Sequence, residues 1–143
     1  MKNTLVCCGL ALLACVSHAA EDPRQLAPMP PAAQANLRDE MLANLRVLNE
    51  ILGLVAEGKV REAGQLAELE LGVSAMGKNR NQPLEARPGA HMPPAMHSLG
   101  VDGHKAASEF ARIAATGDRD KTIAALPSLS GACVACHFSF RVR

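Results

Sequence analysis

Cys133-Val134-Ala135-Cys136-His137, close to the C-terminal end of the chain, is the most informative stretch of this sequence. The order Cys-x-x-Cys-His is the attachment signature of a c-type haem. Residues three and four apart lie on one side of a helix, so both thiols can reach one haem edge and the imidazole can reach the iron. The stretch predicts one covalent haem c held by Cys133 and Cys136, with His137 as an iron ligand.

Two other chemistries use a Cys-x-x-Cys pair. A structural zinc site needs about four ligands, but the remaining cysteines, Cys7, Cys8 and Cys15, lie in an N-terminal segment that we expect to be removed. The histidines between residues 91 and 104 could contribute only from a long loop without metal-site spacing. A thioredoxin-like dithiol lies beside a βαβ pattern, whereas this dithiol follows a helical one. Haem c is the favoured interpretation, with zinc and dithiol chemistry as alternatives.

The first 20 residues have the features of a secretory signal peptide. Lys2 precedes an apolar run over residues 5–16, and small residues follow up to Ala20. We expect cleavage after Ala19 or Ala20. The run is shorter than the ~20 residues of a membrane span. An alternative is the lipoprotein-like box that ends at Cys15, which would leave the mature protein tethered to a membrane.

The composition limits both the core and the partners. The formal net charge of +1 gives no support for nucleic-acid binding. Trp and Tyr are absent, and Phe110, Phe138 and Phe140 are the only aromatic residues. Large aromatic side chains normally supply much of the buried area of a core. A haem could serve as the large apolar unit, although an ordinary Leu/Ala bundle would have the same composition.

The first predicted helix begins at Pro30-Pro31, because proline is well placed in a first helical turn. Residues 57–59 end it, with Gly58 as the cap. Its apolar residues recur at steps of three and four, which predicts a stripe that faces the core. The stripe consists of Leu37, Met41, Leu45, Leu48, Leu52 and Val55, widened by Leu42 and Ile51.

The second predicted helix covers residues 60–76 and contains Gly64 and Gly72. Each glycine costs ~1 kcal/mol relative to alanine in a helix. Close approach of another helix, for example at a subunit interface, would offset this cost. A merely weak helix is the alternative.

The third helix is expected to begin between Ala95 and Asp102 and to end near Gly117, after a polar loop. Asp118 is a good N-cap for the fourth helix, in which Pro127 predicts a kink or a short break. Helices joined in this way commonly form a bundle around a cofactor. We therefore predict one all-α domain over residues 21–143, an antiparallel four-helix bundle with covalently bound haem c.

An exported four-helix chain with the haem motif near its C-terminus resembles the class II cytochromes c, namely cytochrome c-prime and its low-spin relatives. Class I cytochromes c carry the motif near the N-terminus. Arg38 in the first helix, Gly117-Asp118 before the fourth and Phe140-Arg141 after the haem histidine are similar to family features. A Trp often found near the haem in cytochromes c-prime is missing. The resemblance implies haem attachment outside the cytoplasm, and therefore a periplasmic protein.

The resemblance also implies roles for particular residues. Cys133 and Cys136 would form the thioether bonds and His137 would be the proximal ligand. Arg38 would contact a haem propionate, although a solvated surface arginine is the alternative. Arg141 would lie beside the proximal face of the haem, or it is simply a cation favourable to the C-terminal end of the helix.

The sixth iron ligand decides the function. Met41 is the best candidate, since Met/His ligation raises the reduction potential and suits electron transfer. The spacing from Arg38 and Gly58 instead puts Leu42 at the distal position of the family, where it would shield the iron without coordinating it. An open iron binds small gases such as NO or CO. A methionine at helical spacing also serves commonly as core filler.

A second cluster of ligand-type residues lies in the loop before the third helix. His91, Met92, Met96 and His97 could approach the haem or bind copper. The alternative is a solvated loop with two methionines that anchor it to the core, which we favour.

The favoured function is a non-enzymatic carrier of single electrons that serves periplasmic redox partner proteins. The alternative is a five-coordinate protein of the cytochrome c-prime type that binds NO or CO. A haem peroxidase would need distal acid–base groups, and the first helix offers mainly Leu and Met. The resemblance also implies a homodimer that forms through the first two helices (helices A and B).

Overall fold

Four helices make up most of residues 21–143, the part of the chain that this computed structural model describes. The predicted signal peptide and Cys15 lie outside these residues. Two short strands flank the helices and pair with each other in parallel. The protein is therefore all-α, as predicted. The elements are β1 (Gln25–Leu26), α1 (Pro31–Ala56), α2 (Val60–Leu71), α3 (Pro94–Ala114), α4 (Arg119–Ser139) and β2 (Phe140–Arg141).

Both predicted ends of α1 are confirmed. Pro31 is its first residue, where the missing N–H of proline leaves no hydrogen bond unmade. At the other end Gly58 has a φ of 78°, a backbone conformation that favours glycine. The N–H of Gly58 donates to the Val55 carbonyl and that of Lys59 to the Leu54 carbonyl, at 3.1 and 2.8 Å. This pair of backbone hydrogen bonds is a Schellman motif, which caps the C-terminal end of the helix.

The prediction for α2 was too long. The helix ends at Leu71, Gly72 is its C-cap, and a 3₁₀ turn follows at Val73–Ala75. Gly64 lies where α3 packs closely on α2, which explains a glycine inside the helix. A Cβ atom on Gly64 would lie 2.7 Å from the Ala114 Cβ, so the glycine allows close approach of α3 within the same chain.

The third and fourth helices differ from expectation in two details. Helix α3 begins at Pro94, just before the expected range, because proline starts the helix. The Asp118 cap of α4 is confirmed, since its carboxylate accepts from the Lys121 N–H at 3.0 Å. The prediction at Pro127 was a kink or a short break, and the break is wrong, because α4 runs through Pro127, while the kink stays a prediction. Pro127 and Ile123, whose carbonyl it leaves free, are both exposed, so water can replace the lost hydrogen bond.

The buried residues form two clusters. The first joins the second half of α1 to the first half of α4 through α2 and α3, and Phe110 is its largest member. The second cluster joins the start of α1, the start of α3 and β2. Helices adjacent in the chain pack extensively, whereas α1 and α4 contact each other little. The second cluster consists of Ala27, Met29, Ala33, Leu37, Met96 and Phe140, with Cys136 packed against it.

The predicted inward stripe of α1 is only partly buried. Leu37, Ile51 and Val55 are buried, and Leu48 is half-buried. Three other predicted members are exposed, as is Leu42. The reason is that this edge of α1 lies beyond the helices that pack on it, since α4 covers little of α1. The exposed fractions are 36% for Met41, 67% for Leu42, 64% for Leu45 and 45% for Leu52.

Candidate haem site

The Cys-x-x-Cys-His motif occupies the last two turns of α4. Cys133, Cys136 and His137 lie on one side of the helix because of their spacing. Leu129, one turn before Cys133, belongs to the same side and is buried in the first cluster. The three site residues thus continue the core-facing stripe of α4, but only Cys136 is half-buried, while Cys133 and His137 are exposed.

The two thiols have different surroundings. Cys133 is exposed, whereas Cys136 is half-buried against the second cluster, and neither is in a disulfide. The protein atoms around each sulfur partly displace water and so raise the pKa of both thiols, even though the Cys133 residue is exposed as a whole, and the neighbouring Cys133 raises the pKa of Cys136 further. Both sulfurs are therefore protonated at neutral pH. Two free thiols on one side of a helix fit the requirements of a group with two points of attachment.

His137 has an exposed side chain in the last turn of the helix. Its backbone carbonyl accepts a hydrogen bond from the Arg24 guanidinium, with an Nη1–O distance of 3.3 Å. The last four carbonyls of a helix have no partner within the helix. Arg24 therefore supplies a partner at the residue that is predicted to bind iron.

Arg141 follows the motif on β2 and lies beside Asp22. Its Nε atom is buried, lies 3.9 Å from the Asp22 Oδ2 and has no hydrogen-bond partner. The hydrogen bonds that Asp22 accepts from Arg24 lower the pKa of its carboxyl to about 2. Asp22 is therefore ionised throughout the neutral range. An incompletely paired guanidinium next to the motif fits an anionic group such as a propionate.

The candidate residues of α1 lie along its exposed edge. Leu37 shares the second cluster with Cys136, and Met41 lies one turn, or about 5.4 Å, further along α1. Leu42 is rotated by a further ~100° and is more exposed than Met41. The Arg38 side chain is exposed, and its Nη2 donates to the Gln34 Oε1 at 3.4 Å. Along the length of the helices, Met41 thus lies near the level of the motif. Met41 itself does not contact the motif residues.

The loop cluster of possible copper ligands is not assembled into a site. The His91 Nε2 lies 3.1 Å from the Leu84 carbonyl oxygen, and His97 is exposed. Within residues 21–143 there is no group of three or more His, Cys, Asp or Glu side chains placed to hold a metal ion. Met96 is buried in the second cluster and Met92 packs against it, as the core-anchoring alternative requires. Copper binding by this loop stays the less favoured alternative.

Two surface clefts lie away from the motif. One of about 330 Å³ is next to the 3₁₀ turn after α2, and one of about 250 Å³ lies between α2 and α3. Both are shallow and are lined largely by polar or small residues. Neither includes Cys133, Cys136 or His137.

Comparisons with known proteins give no relative for this chain. No protein-family model matches it, and neither a curated protein nor a solved structure matches it significantly. The functional argument therefore depends on the residues and their placement.

Helix α4, which includes the motif, has a further notable feature in its apolar composition. By length and composition it is apolar enough to cross a membrane, and only 17% of that segment is buried. The core helix of a soluble protein can meet the same criterion, although such a helix is mostly buried. The apolar composition of α4 therefore exceeds what its contacts with the described helices account for.

Sequence reasoning missed two residues near the site. Arg24 reaches the last turn of α4 and Asp22 lies beside Arg141 on β2, each across more than a hundred residues, and no local pattern indicates such contacts. Sequence reasoning also missed that His104 caps α2, because its Nδ1–H donates to the Leu71 and Gly72 carbonyls at 2.8 and 3.0 Å.

Proposed function

We propose that this chain is a periplasmic class II cytochrome c that carries single electrons and is not an enzyme. One covalent haem would be held by Cys133 and Cys136. The observation that carries the proposal is the division of α4: its inward side is buried as far as Leu129 and becomes more open at the haem motif. A large apolar group attached there would cover this surface.

Two observations support an antiparallel arrangement of the four helices. The second cluster joins the start of α1 to the residues around the end of α4. The first cluster joins the other half of α1 to the first half of α4. This pairing of opposite ends is what an antiparallel bundle of sequential helices requires.

The haem is proposed to lie between α4 and the exposed edge of α1. Contacts between these helices are sparse, while those of the other neighbouring pairs are extensive. Leu45 and Leu52 are 64% and 45% exposed along that edge. Burying apolar area contributes roughly 25 cal/mol per Å², so an apolar ring placed there would stabilise the fold as well as serve redox chemistry.

The residues around the proposed haem have distinct tasks. When bound, the haem supplies an iron that alternates between the ferric and ferrous states. Cys133 and Cys136 attach the group, and His137 offers an imidazole nitrogen to the iron. The guanidinium groups of Arg38 and Arg141 are the proposed partners of the haem propionates, since a guanidinium forms strong charge-assisted hydrogen bonds with a carboxylate.

The placement of Met41 favours electron transfer over gas binding. Met41 is less exposed than Leu42 and lies nearer to the core-facing side of α1, one turn from Leu37. Its thioether is therefore the better placed of the two side chains to approach an iron held by His137. A sixth ligand from the protein would leave no open position for NO or CO.

Optical spectra of the haem-loaded protein test this assignment. We expect low-spin ferric and ferrous spectra that CO does not change rapidly. Met41→Ala should convert the iron to a high-spin form that binds CO, because its sixth ligand is lost. Leu42→Ala is the matched control and should keep the wild-type spectrum. A high-spin wild type that is unaffected by Met41→Ala would instead support the NO- or CO-binding alternative.

Partners and assembly follow as part of the same proposal. The protein would exchange electrons with periplasmic redox partner proteins. A homodimer through α1 and α2 is supported by exposed leucine surface away from the candidate haem residues, such as Leu69 on α2, which is 66% exposed. Sedimentation of the wild type and of a Leu69→Glu variant would distinguish a dimer from a monomer.

A further inference from the structure

The segment before α1 runs along the end of the haem-bearing helix. Residues 22–29, here called the strap, include β1, which pairs with β2 so that Gln25 is opposite Phe140 and Leu26 opposite Arg141. The Ala27 N–H adds a hydrogen bond to the Arg141 carbonyl at 2.7 Å. Ala27 and Met29 are 0% and 8% exposed. The strap is therefore fixed by backbone bonds and by packing.

Three charged side chains gather where the strap meets the motif. Arg24 donates to the His137 carbonyl, and its Nε and Nη2 donate to the Asp22 carboxylate at 2.9 and 2.6 Å. On the other side, the Arg141 Nε lies 3.9 Å from the same carboxylate. One ionised carboxylate thus lies between two guanidinium groups, and one of these touches the backbone of the predicted iron ligand.

This arrangement links the strap to His137 in two ways. The Arg24 hydrogen bond restrains the last turn of α4, which carries the imidazole. The charges act over a longer range, because a ferric haem has one more positive charge than a ferrous haem. A guanidinium near the iron disfavours the ferric state and raises the reduction potential, while a carboxylate lowers it.

We propose that Asp22 and Arg24 are positioning residues that set the orientation of His137 and the reduction potential of the iron, with the strap holding them in place. This inference rests on the proposed haem function and assigns a role to a segment outside the helices. Both predicted cleavage sites precede the strap: the signal-peptide site after Ala19 or Ala20, and the lipoprotein-like site between Ala14 and Cys15. Either form of the mature protein would retain it.

Charge-neutral variants of the haem-loaded full chain test the proposal. We expect Asp22→Asn to raise the reduction potential and Arg24→Gln to lower it. Arg24→Lys, which keeps the charge, should stay closer to the wild type than Arg24→Gln. The matched control is Arg112→Gln, because Arg112 forms an exposed ion pair with Glu109 on α3. The control should leave the potential unchanged.

The iron–histidine vibration of the ferrous protein is the second measurement, made in a Met41→Ala background, because the band is visible only when the sixth position of the iron is open. A weakened restraint on His137 should shift this band when Arg24→Gln is added to that background and not when Arg112→Gln is added. The proposal is overturned if Asp22→Asn and Arg24→Gln have the potential and the band of the control, or if both potentials shift in the same direction. Asparagine is nearly isosteric with aspartate, so the reduction potential of Asp22→Asn still tests the proposal if Arg24→Gln does not fold.

The two proposals fail in different ways. A wild-type chain without covalent haem would contradict the proposed function, and the strap inference with it. A haem-loaded wild type whose potential does not respond to Asp22 and Arg24 would contradict the strap inference alone.

Discussion

The two halves of α4 belong to one helix and continue one inward stripe, yet they have different surroundings. In the first half, Thr122 and Leu129 are 0% and 4% exposed. In the second half, Cys133 and His137 are exposed and Cys136 is half-buried. The difference lies in what faces the helix. Protein side chains complete the first half, and we propose that a haem completes the second.

The comparison predicts the largest effect at the two cysteines. The Cys133→Ser/Cys136→Ser variant should retain no covalent haem, because serine does not form thioether bonds. Each single variant should keep one bond, which the visible spectrum of the denatured haem would report. Val134→Ser lies inside the same motif and should keep the full haem content. Covalent haem in the double variant would contradict the assignment of the motif.

The protein-filled half should respond to the loss of core volume. Leu129→Ala should lower the free energy of unfolding by about 2–5 kcal/mol, since it removes a buried side chain and leaves a cavity. Val134→Ala, about one turn later, should change it by no more than about 0.5 kcal/mol. Urea unfolding of the haem-loaded variants measures both. Equal losses at the two positions would remove the distinction between the halves.

Tight packing within the first cluster, which also buries the first half of α4, predicts the effect of a small addition. Gly64→Ala introduces a Cβ at 2.7 Å from the Ala114 Cβ, so α2 and α3 must move apart. Overpacking costs about 1–3 kcal/mol, which exceeds the ~1 kcal/mol gained in helix propensity. Gly53→Ala has open space around it and should stabilise the protein. Thermal unfolding should therefore give shifts of opposite sign.

The smallest effect is expected at the start of α4. Asp118→Ala removes the N-cap and should lower the melting temperature less than Leu129→Ala does, while Asp118→Asn should keep most of the cap. The hydrogen bonds from Lys121 lower the pKa of Asp118 below its ordinary value of 3.8. The contribution of the carboxylate is therefore complete above that value and is lost as the pH falls through the lower, folded-state pKa. Wild type and Asp118→Ala should converge in acid, and a constant difference would contradict this.

Local patterns predicted some of the helix ends. The Pro31 start of α1, the Gly58 cap and the Asp118 cap depend on neighbouring residues alone, so the sequence is sufficient for them. The end of α2 and the start of α3 were both predicted too late in the chain. The inward stripe of α1 was less well predicted, because periodicity identifies an apolar side but not what covers it. Met41 and Leu45 satisfy the periodicity and are nevertheless exposed.

The candidate site likewise has a part that local sequence predicts and a part that depends on the fold. The motif on α4 could be predicted because its chemistry is local, with three residues within two helical turns. The contact of Arg24 with His137 joins opposite ends of the chain, and only the fold brings them together. The proposal of Met41 rather than Leu42 as the sixth ligand also depends on the fold, because it uses the exposed fractions of the two side chains on α1.

The mass of the exported full chain, produced in a host that attaches haem c, tests the central claim most directly. We predict a species that is heavier than the processed polypeptide by one haem, with the haem retained after denaturation. A processed polypeptide of unmodified mass, from a host that loads another c-type cytochrome in the same preparation, would contradict the account.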